Sequence, residues 1–92
     1  IIMKTECYFH GYKILRCGTI LSKSGQPLKY ELRARLGGKF DQCVRLFING
    51  KAKKFTVSCL VCEAFDGPCF GYEVNHKNRD TLDNRMENLE RC

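Results

Sequence analysis

The sequence predicts an α+β fold: a small antiparallel sheet, one short helix, and then a ββ hairpin. Three observations carry that expectation. Residues 28–36 alternate, with Leu28, Tyr30, Leu32, Ala34 and Leu36 on one side and Lys29, Glu31, Arg33 and Arg35 on the other, the period of a half-buried strand. Asn49-Gly50, flanked by apolar alternation, is the positive-φ dipeptide of a tight hairpin turn. Leu60, Val61, Ala64 and Phe65 share one helical stripe between Ser58 and Gly67-Pro68; serine caps helix N-termini, and Gly-Pro ends helices.

The remaining elements follow in order. Tyr12–Leu21 is expected as a short strand pair bent at Gly18, closed by the Ser24-Gly25-Gln26-Pro27 turn. Gly37-Gly38-Lys39 turns the chain into Phe40–Ile48, whose Val44, Leu46 and Ile48 are in register, and Ala52–Val57 returns beside it. Ser58 is expected to cap a helix over Cys59–Phe65. Glu73-Val74-Asn75-His76 is short and extended, Lys77–Asp83 is a polar loop, and Asn88–Cys92 is a return strand. No repeat or linker composition interrupts the chain, so residues 1–92 read as a single domain.

Ninety-two residues bury only ~60–65% of their unfolded surface, so the core is thin. With 43% hydrophobic residues and ten aromatics the chain is not disordered. Its net charge of +6 favours an anionic partner, nucleic acid or an anionic membrane surface. No apolar run approaches the ~18 residues of a membrane span, and no basic amphipathic helix offers a membrane-binding face. The charge is uneven: residues 11–57 carry +9 and residues 58–92 carry −3. A basic sheet module over 11–57 followed by a different kind of site over 58–92 is the natural division. Lys29, Arg33 and Arg35 fall on one strand face, and Arg45, Lys51, Lys53 and Lys54 on the neighbouring hairpin. Such a run is ordinarily a solvated outer face; the functional reading is phosphate contact by a two-stranded ribbon.

Seven cysteines are an odd number, and several lie within apolar runs, where free Cys acts as a small hydrophobe. No secretion signal is expected from Ile1-Ile2-Met3-Lys4, so a reducing, cytoplasmic compartment is the expectation. Cys59 and Cys62, with Cys69 and Cys92 later, match a zinc-ligand spacing. The pair falls inside the expected helix rather than on a tight turn, so zinc is not expected. His76 stands beside Asn75 and upstream of Asn84 and Asn88. Taken alone, it is a surface histidine among turn-forming residues or part of a site.

The segments Val57-Ser58-Cys59-Leu60-Val61-Cys62-Glu63-Ala64-Phe65, Glu73-Val74-Asn75-His76-Lys77-Asn78 and Leu82-Asp83-Asn84-Arg85-Met86-Glu87-Asn88-Leu89-Glu90 together resemble the HNH endonucleases of phage and intron homing type. The resemblance is specific over 57–92 and looser over the sheet module. It implies that the final hairpin is the ββ part of a ββα-metal finger, and that the activity is metal-dependent hydrolysis of DNA phosphodiesters. His76 would be the general base, Asn75 a metal ligand, Asn88 the residue that orients the imidazole, and Asn84 a supporting loop residue. An imidazole suits proton transfer near neutral pH, and Mg²⁺ or Mn²⁺ would neutralise charge at the phosphate. The implied partner is double-stranded DNA held by Lys29, Arg33, Arg35, Arg45, Lys51, Lys53 and Lys54, with a second copy of the chain as a further candidate. Ser58 stands where the family has its first histidine, and Arg91 where it usually has an aromatic residue. The family's following helix, which completes the metal site, is expected to be missing after Cys92. The alternative function is therefore a catalytically silent DNA- or protein-binding module on the same scaffold.

Overall fold

Turn chemistry and alternation produce three small antiparallel sheets around one helix in the computed structural model, which describes residues 5–34, 36–67 and 73–91. Arg35, Cys69 and Cys92, each singled out above, lie outside the described residues. The first sheet joins β1 (Glu6–Phe9), β2 (Tyr12–Leu15) and β3 (Ile20–Leu21) in that order. The second joins β4 (Glu31–Ala34), β5 (Phe40–Ile48) and β6 (Lys51–Thr56), and leads directly into the helix α1 (Val57–Asp66). The third pairs β7 (Val74–His76) with β8 (Leu89–Arg91), which follows a single 3₁₀ turn at Met86–Asn88.

The core takes one stripe from each layer. Tyr12, Ile14 and Ile20 come from the first sheet, Val44, Leu46 and Ile48 from β5, Val57, Leu60, Val61 and Cys62 from α1, and Leu89 from β8. The helix packs against both larger sheets and against the β7–β8 hairpin, which is why a chain this small needs only one. Cys43 and Cys62 are fully buried, whereas Cys59 is exposed on the helix. No helix among the described residues is long and apolar enough to cross a membrane.

Three local expectations differ from what forms. The strand over residues 28–36 shortens to Glu31–Ala34, and its residues are all exposed, Leu32 at 59%. β4 is an edge strand paired only with β5, while α1 packs on β5 and β6, so among the described residues β4 adds nothing to the core cluster. Tyr30 instead turns to the first sheet, where its hydroxyl accepts from Ile20 N (2.8 Å) and donates to Gly18 O (2.7 Å). The helix begins at Val57 with Thr56 at its cap position, so Ser58 is a buried first-turn residue and not the cap. A side-chain cap is worth ~1 kcal/mol, less than the ~2 kcal/mol gained by burying Val57, and burial decides the boundary. Finally, β1 is a strand that residues 6–9 did not announce; the His10-Gly11 turn, at φ 50° and 87°, folds it onto β2.

Arg91 has a structural task. Its guanidinium donates to the Asp66 and Gly67 carbonyls, the latter at 2.6 Å, and Nε lies 3.3 Å from the Asp66 carboxylate. A cation is thereby placed at the negative end of α1, joining β8 to the helix terminus. Arg91→Ala is expected to lower stability by about 1–2 kcal/mol in urea unfolding; an unchanged midpoint would mean these contacts contribute nothing.

Candidate active site

The β7–β8 ladder pairs Val74 with Arg91, Asn75 with Glu90 and His76 with Leu89. Strand alternation therefore sends His76 to the side of buried Leu89 and Asn75 to the side of Glu90. His76 is only 5% exposed. Asn75 is exposed, and its amide donates to Glu90 Oε1 at 2.8 Å.

The loop that joins the two strands is held from within by Asn88. Its amide donates to Asn78 Oδ1 and to Asp83 O, both at 2.9 Å, while its oxygen accepts from Asn78 N at 3.1 Å. Asn88 thus braces the loop through Asn78 and Asp83, while the hydrogen bond to the imidazole comes from another asparagine. Asp83 accepts from Arg85 Nε and Nη2, each at 2.8 Å, and from the Asn78 amide at 2.9 Å. The Arg85 guanidinium holds the Asp83 carboxyl well below the usual carboxylate range. A lowered folded-state value means that these bonds are intact above the ordinary aspartate range and fail only as pH falls through the lowered one.

Contact with the imidazole is made by Asn84, which is also buried. Its Oδ1 lies 2.8 Å from His76 Nε2, and its amide donates to Gln42 Oε1 at 2.8 Å. With the amide hydrogens directed at Gln42, the oxygen faces the ring, so Nε2 carries the hydrogen and Nδ1 keeps its lone pair. Gly18 packs against the same residue: a Cβ there would lie 2.8 Å from Asn84 O, and its φ of 96° disfavours any side chain. Met86 N also donates to Arg16 O at 2.8 Å. The first sheet therefore holds the site loop in place from outside.

Two clefts meet at His76. One, of about 340 Å³, is lined by Lys39, Glu73, Asn75, Arg79 and Thr81; the other, of about 260 Å³, by Arg33, Asp41, Ser58, Cys59 and Glu73. Ser58, in the helix's first turn, lines the second cleft together with His76. Thr81 donates its hydroxyl to Phe40 O, tying the loop to the start of β5. A separate apolar hollow of about 330 Å³ between β1 and α1 shares no residue with either cleft. Among the described residues no group of three His, Cys, Asp or Glu side chains could hold a metal ion. The oxygen donors nearest to that role are Asn75 and its neighbour Glu90, a hard donor set of the kind Mg²⁺ takes together with water.

The basic residues do not form one continuous face. Lys29 lies before β4, in the connection, and Arg33 pairs across the ladder with Asp41 at 3.3 Å. Arg45 and Lys54 both reach Glu31, at 3.4 and 3.7 Å. These three share the sheet face opposite Val44 and Leu46, whereas Lys51 and Lys53 are in register with Ile48 and Leu46 on the other face and are exposed. Gln42, Lys39 and Arg79 were not anticipated at the site. Gln42 did leave a signal: it is a polar residue in phase with Val44, Leu46 and Ile48. Lys39 and Arg79 left none, because only the folded turn brings them together.

Asn84→Ala is expected to cost about 1–3 kcal/mol, since it strands a buried imidazole N–H; Gly18→Ala should cost a similar amount by displacing Asn84. Urea denaturation measures both, and wild-type midpoints would break the link between first sheet and loop. The Asp83 carboxyl carbon, followed by NMR, should titrate below the ~3.9 of free aspartate; a midpoint at that value would show that the Arg85 contact does not persist in solution.

Comparison with known proteins fits this geometry. The family described as HNH endonuclease matches residues 56–92. An uncharacterized HNH endonuclease of Acanthamoeba polyphaga mimivirus is 38% identical over 89 residues, covering 95% of this chain and 26% of that protein. The HNH homing endonuclease I-HmuI, in a structure titled for DNA binding and cleavage, superposes with a TM-score of 0.75 at 32% identity. That match covers 92% of this chain and 48% of the other, so the chain spans about half or less of both relatives. Residues 56–92, which hold the ββ hairpin carrying His76 and its Asn-braced loop, match the HNH endonuclease family, and the strands before them extend the similarity to both of these proteins.

Proposed function

We propose that this chain forms the DNA-binding and phosphodiester-cleaving part of an HNH endonuclease of homing type. The observation that carries the reading is the buried His76 ring held at Nε2 by Asn84. Its Nδ1 is then the nitrogen able to take a proton from a water lined up on a phosphorus atom. Asn84 keeps the ring in that tautomer and supports the imidazolium as it forms, because its oxygen accepts from Nε2 in both states. Asn88 acts one step further back, by fixing the loop on which Asn84 sits. Asn75, with Glu90 beside it, is the residue that would hold a divalent ion. When bound, Mg²⁺ or Mn²⁺ supplies charge neutralisation at the phosphate and at the leaving oxygen.

Double-stranded DNA is the substrate this reading requires. Exposed Lys51 and Lys53 and the Arg33 side of the second cleft provide cations for backbone contact. Purified protein is expected to nick supercoiled plasmid with Mg²⁺ or Mn²⁺. His76→Ala and His76→Gln should slow cleavage by ~10²–10⁴-fold while circular dichroism confirms their fold. Equal nicking by a folded variant sinks the role of His76.

One observation favours a second reading, a DNA-binding module that does not cut. Asn75 is a neutral ligand whose amide is engaged by Glu90, and the described residues hold no three-ligand group. Mg²⁺ prefers carboxylates and gives up water reluctantly. On that reading, salt-sensitive duplex binding persists and no metal supports cleavage.

A further inference from the structure

Most cations that the fold places near a carboxylate are paired with it: Lys13 with Glu6, Arg33 with Asp41, Arg45 and Lys54 with Glu31, and Arg85 with Asp83. Lys39 and Arg79 are different. They come from separate turns, one between β4 and β5 and the other after β7, and meet in the larger cleft beside His76. Among the described residues neither has a carboxylate within ion-pair distance. Glu73 is the one acidic side chain lining that cleft, so two cations face one anion.

Arg79 carries a second mark. Its φ is 66°, in the left-handed region that a side-chain-bearing residue adopts at a cost. The conformation is enforced by the tight turn in which Arg79 N donates to His76 O at 2.9 Å. Glycine would adopt it freely. An arginine here adds strain, and among the described residues no carboxylate pairs with it in return. The Thr81 bond to Phe40 O ties its loop to the strand that follows Lys39, so the backbone segments that carry the two cations are joined beside the cleft.

We propose that Lys39 and Arg79 form a seat for a backbone phosphate of the DNA strand presented to His76, with Arg79 kept in its strained conformation for that contact. The guanidinium supplies a fork that matches two phosphate oxygens, and the ammonium adds a point charge from the opposite turn. The seat deepens the DNA-cleaving reading of His76 and rests on it for the identity of the ligand.

The test separates binding, stability and cleavage in the full chain. Wild type, Arg79→Gly, Lys39→Ala and the double variant are titrated against a fluorescein-labelled duplex across ~50–200 mM salt. Each single variant should weaken binding by roughly 3–10-fold and reduce the slope of log K against log salt by ~0.9, the double variant by ~1.8. Arg79→Gly should at the same time melt roughly 2–5 °C higher, because glycine relieves the strain. A residue with a purely structural role cannot give weaker binding together with a more stable fold. Unchanged slopes overturn the seat even if plasmid nicking depends on His76. Reduced slopes with no nicking by wild type support the seat and remove the cleavage reading. Absence of duplex binding by wild type overturns both.

Discussion

The site depends on one carboxamide. Asn84 joins β7, through the His76 ring, to β5, through Gln42, while its backbone packs against Gly18 in the turn between β2 and β3. Each of these contacts constrains the others. An amide that donates to Gln42 can only accept from the ring, and a ring nitrogen that donates to Asn84 leaves its partner nitrogen basic. Burial raises the stakes, since a polar group removed from water must find its partner inside the fold. The chemistry assigned to His76 is thus set by a knot that includes all three sheets.

Helix α1 supplies the apolar counterpart of that knot. Its buried stripe packs against every layer, and its C-terminus is held by Arg91 from β8. A 92-residue chain has too little surface to bury for each sheet to keep a core of its own, so one helix serves all three. This arrangement makes Arg91 intelligible. The junction between hairpin and helix is made by charge and hydrogen bonds at the helix terminus.

Electrostatics in the fold differ from electrostatics in the composition. The excess of +9 over residues 11–57 suggested a uniformly basic sheet, yet Glu31 and Asp41 sit where they meet Arg45, Lys54 and Arg33. The exposed Glu31 pairs contribute little stability, whereas Asp41 is buried; both carboxylates redistribute the field. Among the described residues, Lys39 and Arg79 stand beside turns with no carboxylate in ion-pair range, and both line the cleft at His76. Net charge identified the class of partner; pairing decides where that partner meets the protein.

How much was legible in advance follows from the range of the interactions involved. The β5–β6 hairpin and its Asn49-Gly50 turn, the helix stripe, and the pattern running from His76 to Asn88 are local. Period, turn chemistry and a contiguous motif depend on residues a few positions apart, and so they can be read along the chain. The shortened β4, the burial of Ser58 and the task of Arg91 were not local, because each depends on what another element does or does not cover. The bond from Asn84 to Gln42 spans 42 positions, and no periodicity encodes a partner at that distance. Gln42 in phase with buried valine and leucine was its one visible trace. Only the tertiary structure decided which asparagine touches the imidazole and which cations face it, because hydrogen bonds and charge pairing are set by distance in space, and sequence patterns report distance along the chain.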